Sequence, residues 1–447
     1  MPIKTSQYFL PTDFFHTKTV IAAVSGGSDS LALLFLLRAY LNEAAKYYAS
    51  LPRLIAVTVD HRLRPESGCE VAFVEAVCAQ YKIHHHRLEW RGEKPSAGLS
   101  AKARLMRYYL LAEAAAHFDA RVIMTGHTLN DQVETYFMRA KRGAGRGLAA
   151  IPRESILMGR WRLIRPLLGL KRTTLRAYLQ HYAQGWVEDP SNQNLRYERV
   201  RMRQTLTDAQ EGEAMEAVAL ASEERRVQAQ RIAHWLAQQT FVRQGGQYQL
   251  YMERPTELDR IDFLFALGLL ASIIGGKGYA PRPRQLIALD QRLQAERVRF
   301  SFFGAVIDYT PTSVRFWREN RHQPSLWLEA GALVLWDGRY EVENHEAFPV
   351  YLAPIHCLRS DFVSPLLKER GLSLALMRGE LAILSHKGVD FPLHKGDEKV
   401  HSKIVFRPIF SPFHWLFSKD DSPIVEQLVR LFGWEWETIG KKPWETS

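Results

Sequence analysis

The stretch Val20-Ile21-Ala22-Ala23-Val24-Ser25-Gly26-Gly27-Ser28-Asp29-Ser30-Leu31-Ala32-Leu33-Leu34 decides the fold. Its first five residues are apolar and suit a buried strand, and the run Leu31–Leu37, closed by Arg38, suits the helix that follows. The turn between them holds Ser25, Gly26, Gly27, Ser28, Asp29 and Ser30. Two glycines let backbone amides approach phosphate oxygens without a Cβ in the way. The serine hydroxyls add donors, and the helix N-terminus adds partial positive charge. An ordinary helix start needs one capping residue. Six such residues in succession at a strand–helix junction point instead to a loop that holds nucleotide phosphates. Asp29 is placed to help hold Mg²⁺, an ion that keeps several waters and bridges phosphates. The GxxxxGK[ST] loop of other nucleotide-binding proteins is absent.

The flanking sequence has the rhythm of a parallel α/β sheet. Strands are expected at Leu54–Val59, His84–Trp90, Arg121–Thr125 and Trp161–Ile164, and helices at Ser30–Tyr47, Ser67–Tyr81, Leu99–His117, Asn130–Arg142 and Lys171–His181. The run Arg142-Gly143-Ala144-Gly145-Arg146-Gly147 is too glycine-rich to be regular. An Ala/Glu/Gln/Arg-rich stretch over 208–239 reads as a connecting helix. Beyond it come helices near 257–274 and 281–295, a hairpin-like alternation at Val298–Trp317, and short strands ending in a helix near Ile424–Phe432. A chain of 447 residues exceeds one ordinary core, so three domains are expected: 1–206 for catalysis, 207–325 helical or mixed, and 326–447 small and α+β. The two later domains are expected to contact RNA.

Composition excludes several classes. No apolar run approaches the ~20 residues that span a bilayer, and no signal peptide is evident, so a cytoplasmic protein without membrane contact is expected. Cys69, Cys78 and Cys357 form no CxxC pair and no metal-ligand cluster. The net charge of +11 is concentrated: between Arg139 and Arg203 fifteen Lys or Arg face four acids, which accounts for the whole excess. Such a block is the footprint of a polyanion, although a solvated basic face reads the same way. Lys141, Arg142, Arg146, Arg196, Arg199, Arg201 and Arg203 are the candidate phosphate contacts. Arg199, Arg201 and Arg203 alternate, which suits an extended segment presenting one face.

A second cluster, Gly126-His127-Thr128-Leu129-Asn130-Asp131-Gln132-Val133-Glu134-Thr135, again lies where a strand end opens a helix. Asp131 and Glu134 are three apart, so both carboxylates fall near one face of the first turns, where they suit a metal or a cationic amine. A capping box is the bland alternative. Asp60 ends the second strand, where open α/β sheets put ligand contacts. Arg104 lies mid-helix in a basic segment. Asp189, in Glu188-Asp189-Pro190-Ser191-Asn192, is either a turn cap or a substrate contact.

The SGGSDS turn resembles the signature of the PP-loop, or N-type ATP pyrophosphatase, enzymes, and that resemblance implies an adenine-nucleotide α-hydrolase-like domain. Further motifs narrow it: Val59-Asp60-His61-Arg62-Leu63-Arg64 with Ser67 and Glu70, Ala103-Arg104-Leu105-Met106-Arg107-Tyr108, the Gly126–Thr135 segment, the Arg142–Leu148 run, Arg165-Pro166-Leu167-Leu168, and Trp186-Val187-Glu188-Asp189-Pro190-Ser191-Asn192. Over residues 20–205 this series is similar to the tRNA(Ile)-lysidine synthetase family. One departure is visible: the family usually has two consecutive acids where this chain has Asn130-Asp131.

The resemblance implies ATP and Mg²⁺ as cofactors, with CAU-anticodon tRNA(Ile) and free L-lysine as partners. ATP would adenylate the C2 oxygen of the wobble cytidine, and lysine would displace AMP. Ser25–Ser30 and Asp60 would bind the nucleotide, and Asp29, Arg104, Asp131 and Glu134 would serve catalysis. Asp131, Glu134 and Asp60 all remain open as the acceptor of lysine's proton. Two other readings stand beside this one: a 2-thiolating tRNA enzyme, disfavoured by the absence of a cysteine pair, and an RNA-binding module whose catalytic centre has decayed. The oligomeric state is left open, a homodimer being among the assemblies the sequence admits.

Overall fold

The computed structural model describes residues 3–63, 67–92, 94–95, 97–143, 145–188, 198–252, 258–392 and 401–434. The chain forms two compact units, one reaching to Arg225 and including Leu416–Lys419, the other running from Arg226 to Trp415 and including the described residues from Asp420 to Trp434. Among the described residues no helix is long and apolar enough to cross a membrane.

The first unit alternates β1 (Thr19–Ala23), α1 (Ser28–Ala44), β2 (Arg53–Asp60), α2 (Ser67–Gln80), β3 (His84–Glu89), α3 (Leu99–His117), β4 (Val122–Thr125) and α4 (Leu129–Ala140). Then follow β5 (Glu154–Leu157), β6 (Trp161–Ile164), α5 (Arg172–His181), α6 (Glu198–Thr205) and the long α7 (Asp208–Gln238), within which the boundary between the units falls. The sheet order is Leu416–Ser418, β5, β6, β4, β1, β2, β3. Neighbours from β6 to β3 run parallel, while β5 pairs antiparallel with β6 on one side and with the edge strand Leu416–Ser418 on the other. Both faces of a parallel sheet are covered, so its strands are apolar throughout rather than alternating. Val20, Ile21 and Ala22 are accordingly buried, as are Leu31–Leu37 of α1, against which Leu175 and Leu179 of α5 pack.

The topology fixes where a ligand sits. From β1 the chain builds outward through β2 to β3, then returns to place β4 on the other side of β1. The carboxyl ends of β1 and β4 therefore flank a switch point, where a crevice opens in sheets of this kind. The SGGSDS turn leaves β1 there, and Gly126-His127-Thr128 leaves β4 beside it. The two loops touch: a Cβ on Gly126 would lie 2.7 Å from the Asp29 carbonyl oxygen.

The second unit carries a five-stranded antiparallel sheet ordered Thr240–Gln244, Gln247–Tyr251, Ser313–Arg318, Ala305–Thr310, Val298–Phe302, with the buried helix Arg260–Ile274. Four- and three-stranded antiparallel sheets follow, then the helix Ser422–Phe432. A buried network of Arg318, Asp337, Arg339, Glu380 and Tyr340 pins loops of this unit together, with Arg339 3.0 Å from Glu380 and 2.8 Å from Asp337. Trp434 packs on Phe410 and Phe432, while Trp415 is half-buried.

Candidate active site

The phosphate loop is built before any ligand arrives. Gly26 holds φ +84°, a conformation that L side chains rarely adopt, and its carbonyl accepts from the Val187 N–H at 2.9 Å. Gly27 caps α1 in an extended conformation. Ser30 closes the turn: its hydroxyl donates to the Gly27 carbonyl at 3.0 Å and accepts from the Ser25 N–H at 3.0 Å. The Ser25 side chain remains exposed. The amides of the first helical turn have no intrahelical acceptor, which leaves them for a ligand. The loop thus offers backbone donors, a helix N-terminus and serine hydroxyls to phosphate oxygens.

Across the switch point, α4 starts with a capping box made by Thr128 and Asp131. The Thr128 N–H and hydroxyl donate to Asp131 Oδ2 at 2.8 and 3.1 Å. The bland reading of this motif is therefore true of one carboxylate oxygen. The other, Oδ1, faces Arg199 at 3.2 Å and Arg172 at 3.5 Å. Glu134, 1% exposed, is gripped by Arg199 Nε at 2.6 Å and Arg203 Nε at 2.8 Å. Arg172 also donates to Asp29 Oδ2 at 2.8 Å, and so joins the phosphate loop to the acids of α4. Asp29, Asp131 and Glu134 are thereby interleaved with Arg172, Arg199 and Arg203. Burial opposes the charge of Asp131, but Arg199, Arg172 and the Thr128 N–H overcome it and hold its carboxyl below the ordinary range.

The alternation of Arg199, Arg201 and Arg203 does not reflect an extended segment. These residues lie on the helix α6. Positions 199 and 203 are one turn apart and share the face that meets Glu134, whereas exposed Arg201 lies on another side. The segment departs from the strand reading because Val200 and Met202 are both buried, giving helix and strand patterns a common signature over four residues.

The basic block also turns inward more than its sequence suggests. Arg139 donates to the carbonyls of Gly147 and Ala150 at 2.9 and 2.7 Å, tying the glycine-rich run to α4. Arg153 pairs with Asp13, Arg162 with Glu154, and Arg176 with Glu188. Arg165 is 1% exposed and donates to the Pro152 carbonyl and the Ser155 hydroxyl. Lys141 and Arg142 are exposed and Arg146 half-buried, with Arg142 paired to Glu198. Asp189 and Arg196 lie outside the described residues.

Asp60 is buried at the end of β2. Burial opposes its charge, but the Arg62 N–H, the Ser67 hydroxyl and Arg87 hold it below the ordinary carboxylate range. Arg104 is exposed on α3, its guanidinium 5.2 Å from the Tyr108 ring. Beside it, burial and the Arg165 charge push His127 down to about 3, and its Nδ1 lies 2.9 Å from the Thr125 hydroxyl. The ring is neutral at physiological pH. Burial and Arg107 likewise push His61 down to about 4.

Sequence reasoning missed Arg172, which carries no motif of its own. The one available signal was its place at the start of a helix two residues after the Arg165–Leu170 turn. It also left Asn130 unexplained. The Asn130 carbonyl accepts from the Arg172 N–H at 2.9 Å, capping α5, while its amide donates to Glu211 at 3.3 Å. Glu211 also meets Lys171 at 2.8 Å. An asparagine does both jobs; an aspartate at this position has no hydrogen to give Glu211.

Known proteins resemble this arrangement along the whole chain. A family model described as a PP-loop domain matches residues 3–210. The tRNA(Ile)-lysidine synthase of Bartonella quintana (strain Toulouse) is 36% identical over 468 residues, covering 95% of this chain and 97% of that protein. The chain belongs to the tRNA(Ile)-lysidine synthase family. The Brucella ovis protein of the same name is 37% identical over 93% of this chain, and that of Brucella anthropi is 40% identical over 79%. The parallel sheet with its PP-loop is the family's ATP-using domain, and membership makes the chain a PP-loop ligase. Neither the thiolation reading nor the decayed-module reading is favoured by these relatives.

The metal expected at Asp29 fits the donor set in a limited way. Among the described residues no group of three His, Cys, Asp or Glu side chains converges. Mg²⁺ does not need one: it commonly takes one or two carboxylates and completes its shell with phosphates and water. Asp29, with its Oδ1 3.1 Å from the Ser28 hydroxyl, is the carboxylate at the mouth of the phosphate loop.

Proposed function

We propose that this chain joins free lysine to C2 of the wobble cytidine of a CAU-anticodon tRNA(Ile), consuming ATP and releasing AMP and pyrophosphate. The single observation that carries this reading is the bridge Asp29–Arg172–Asp131, which sets an anion-binding loop against a cation-binding pair of acids across one crevice. Two successive substrates of opposite charge need such a site.

In the first step the C2 carbonyl oxygen of cytidine attacks the α-phosphorus of ATP and pyrophosphate leaves. The turn amides and the hydroxyls of Ser25 and Ser28 hold the leaving oxygens, whose charge grows as the bond breaks. Asp29 would hold Mg²⁺, which would supply part of the charge neutralisation. The charge of Arg104 is felt at His127 beside the crevice, and in this reading Arg104 contacts the phosphate of the adenylated base. In the second step the ε-amine of lysine attacks C2 and AMP leaves. The amine attacks only when neutral, against an ordinary pKa of about 10.4. Asp131, with Oδ2 locked by Thr128 and Oδ1 paired with Arg199 and Arg172, accepts that proton once those guanidiniums release it; Glu134 recognises the ammonium. Asp60, already held by Arg87, orders the β2 end beside the nucleotide. Lys141, Arg142, Arg146 and Arg201 contact the RNA backbone, and single-stranded loops commonly present their bases splayed, as this site requires.

Pyrophosphate release tests the reading. Release should need ATP, Mg²⁺ and CAU-anticodon tRNA together, and radioactive lysine should enter the RNA. Asp29→Ala should be nearly silent. Release that never carries lysine into the tRNA contradicts the proposal.

A further inference from the structure

The acids expected to recognise lysine are already occupied by the protein's own cations. Glu134 receives two guanidiniums, with Arg199 Nε at 2.6 Å and Arg203 Nε at 2.8 Å. Asp131 Oδ1 receives Arg199 and Arg172, and Asp29 Oδ2 receives Arg172. Three carboxylates meet three guanidiniums, so the cluster is neutral and holds no spare negative charge. Yet the proposed reaction brings two cations to these acids, a lysine ammonium and a metal ion. Asp29 Oδ1, beside the Ser28 hydroxyl, is left for the metal, whereas the ammonium has to displace an arginine.

A displaced guanidinium near this depth is costly unless it finds another anion. The other two substrates supply anions. Arg199 and Arg203 are 37% and 32% exposed at their side chains, so each has one side on the acids and another toward water. They sit on the eight-residue helix α6, which also carries exposed Arg201 and pairs Glu198 with exposed Arg142. Guanidinium forks bind phosphate as they bind carboxylate, through two parallel N–H donors.

We infer that Arg199 and Arg203 are placeholders for the lysine ammonium, and that RNA phosphates draw them off Asp131 and Glu134 so that lysine binds weakly until tRNA has docked. The inference rests on the proposed function for the identity of the ammonium. It assigns the arginines of α6 a second role beyond RNA contact: they couple the two substrates. Two guanidiniums leave and one ε-ammonium arrives, so the vacated acids keep one net negative charge, which strengthens their hold on the incoming cation. An enzyme built this way holds lysine tightly only once the RNA has docked.

Coupling is reciprocal, which makes it measurable. Equilibrium dialysis of labelled lysine, without ATP so that no chemistry occurs, is done with and without CAU-anticodon tRNA. With the unaltered protein, saturating tRNA should tighten lysine by about tenfold or more, the lower part of the usual range for coupled sites. In Arg199→Gln, lysine should bind without tRNA within about twofold of its affinity for the unaltered protein with tRNA, and tRNA should add little. Arg199→Lys, which keeps the charge but not the fork, should restore part of the coupling. If Arg199→Gln binds lysine no better than the unaltered protein in the absence of RNA, the inference is overturned. Should that variant fail to fold, the unaltered protein decides alone: saturating lysine must tighten tRNA by the same factor that tRNA tightens lysine, and the absence of either effect overturns the inference. Lysine incorporation is assayed in parallel with ATP present. Incorporation without coupling sinks only the placeholder role, whereas coupling without incorporation sinks the proposed reaction and leaves a gated ammonium site.

Discussion

Asn130→Asp turns a donor into a charge at the centre of the first unit, and its cost follows from the geometry. The asparagine amide lies 3.3 Å from Glu211 Oε1, and its carbonyl caps the Arg172 N–H at 2.9 Å. The substitution keeps the cap. It removes one hydrogen bond, worth about 1 kcal/mol net. It also sets two carboxylates at contact distance, where two like charges 4 Å apart repel by about 4 kcal/mol at an effective dielectric constant of 20. Lys171, 2.8 Å from the far oxygen of Glu211 and 45% exposed, offsets part of that. Uptake of a proton by the pair limits the rest. A net loss of about 1–3 kcal/mol remains at pH 7, which lowers the first thermal transition by roughly 4–8 °C for a 2 kcal/mol change in a unit of this size. The loss should shrink at pH 5, where one carboxylate takes up a proton, while Asn130→Ser should show no such pH dependence. Differential scanning calorimetry of the three proteins at both pH values makes the comparison. An Asn130→Asp protein as stable as its parent, or a deficit that does not change with pH, refutes the reasoning.

Gly126→Ala pushes a Cβ to 2.7 Å from the Asp29 carbonyl, a backbone atom that cannot swing aside. Displacing the phosphate loop by a fraction of an ångström should cut pyrophosphate release by about tenfold to a hundredfold and should also destabilise the unit by about 1–3 kcal/mol, as steady-state kinetics and a melting curve report together. Arg172→Gln removes the bridge between Asp29 and Asp131. It should lower kcat more than it raises KM for lysine, because both acids stay in place but lose their mutual alignment. The buried histidines set an acid limit. His127 and His61 lie near 3 and 4 in the folded chain and near 6.5 unfolded, so below pH 6.5 the unfolded state binds protons that the native state does not. Stability is therefore complete above 6.5 and falls as pH drops from there toward 4; denaturant titrations should show His127→Gln flattening that slope.

Much of the first unit could be read from sequence because its signals are local. A fully buried strand running into a glycine turn and an all-apolar helix leaves few alternatives, and Leu99–His117 and Trp161–Ile164 are observed within the bounds that their periodicity sets. The strand Glu154–Leu157 was not legible, since one of its two partners, Leu416–Ser418, lies more than 250 residues away. The helix α6 was missed because two buried residues at alternate positions fit a strand as well as a helix. The site was legible in its residue types but not in its pairings. Charge counting marked the Arg139–Arg203 block as a surface for RNA, yet Arg153, Arg162, Arg165 and Arg172 spend their charge inside the fold on acids and carbonyls. Composition records how many charges a segment has; only the tertiary structure says which way each one points. Asn130 shows the same limit: its two partners, Arg172 and Glu211, lie 42 and 81 residues away.

The most direct test of the account is the chemical identity of the product. CAU-anticodon tRNA is incubated with the protein, ATP, Mg²⁺ and lysine, digested to nucleosides, and analysed by mass spectrometry. The account predicts that the wobble cytidine alone gains one lysine with loss of one water, in amounts matching the AMP and pyrophosphate released. An unmodified wobble cytidine alongside tRNA-dependent pyrophosphate release, or a sulfur substitution at that base, would contradict it.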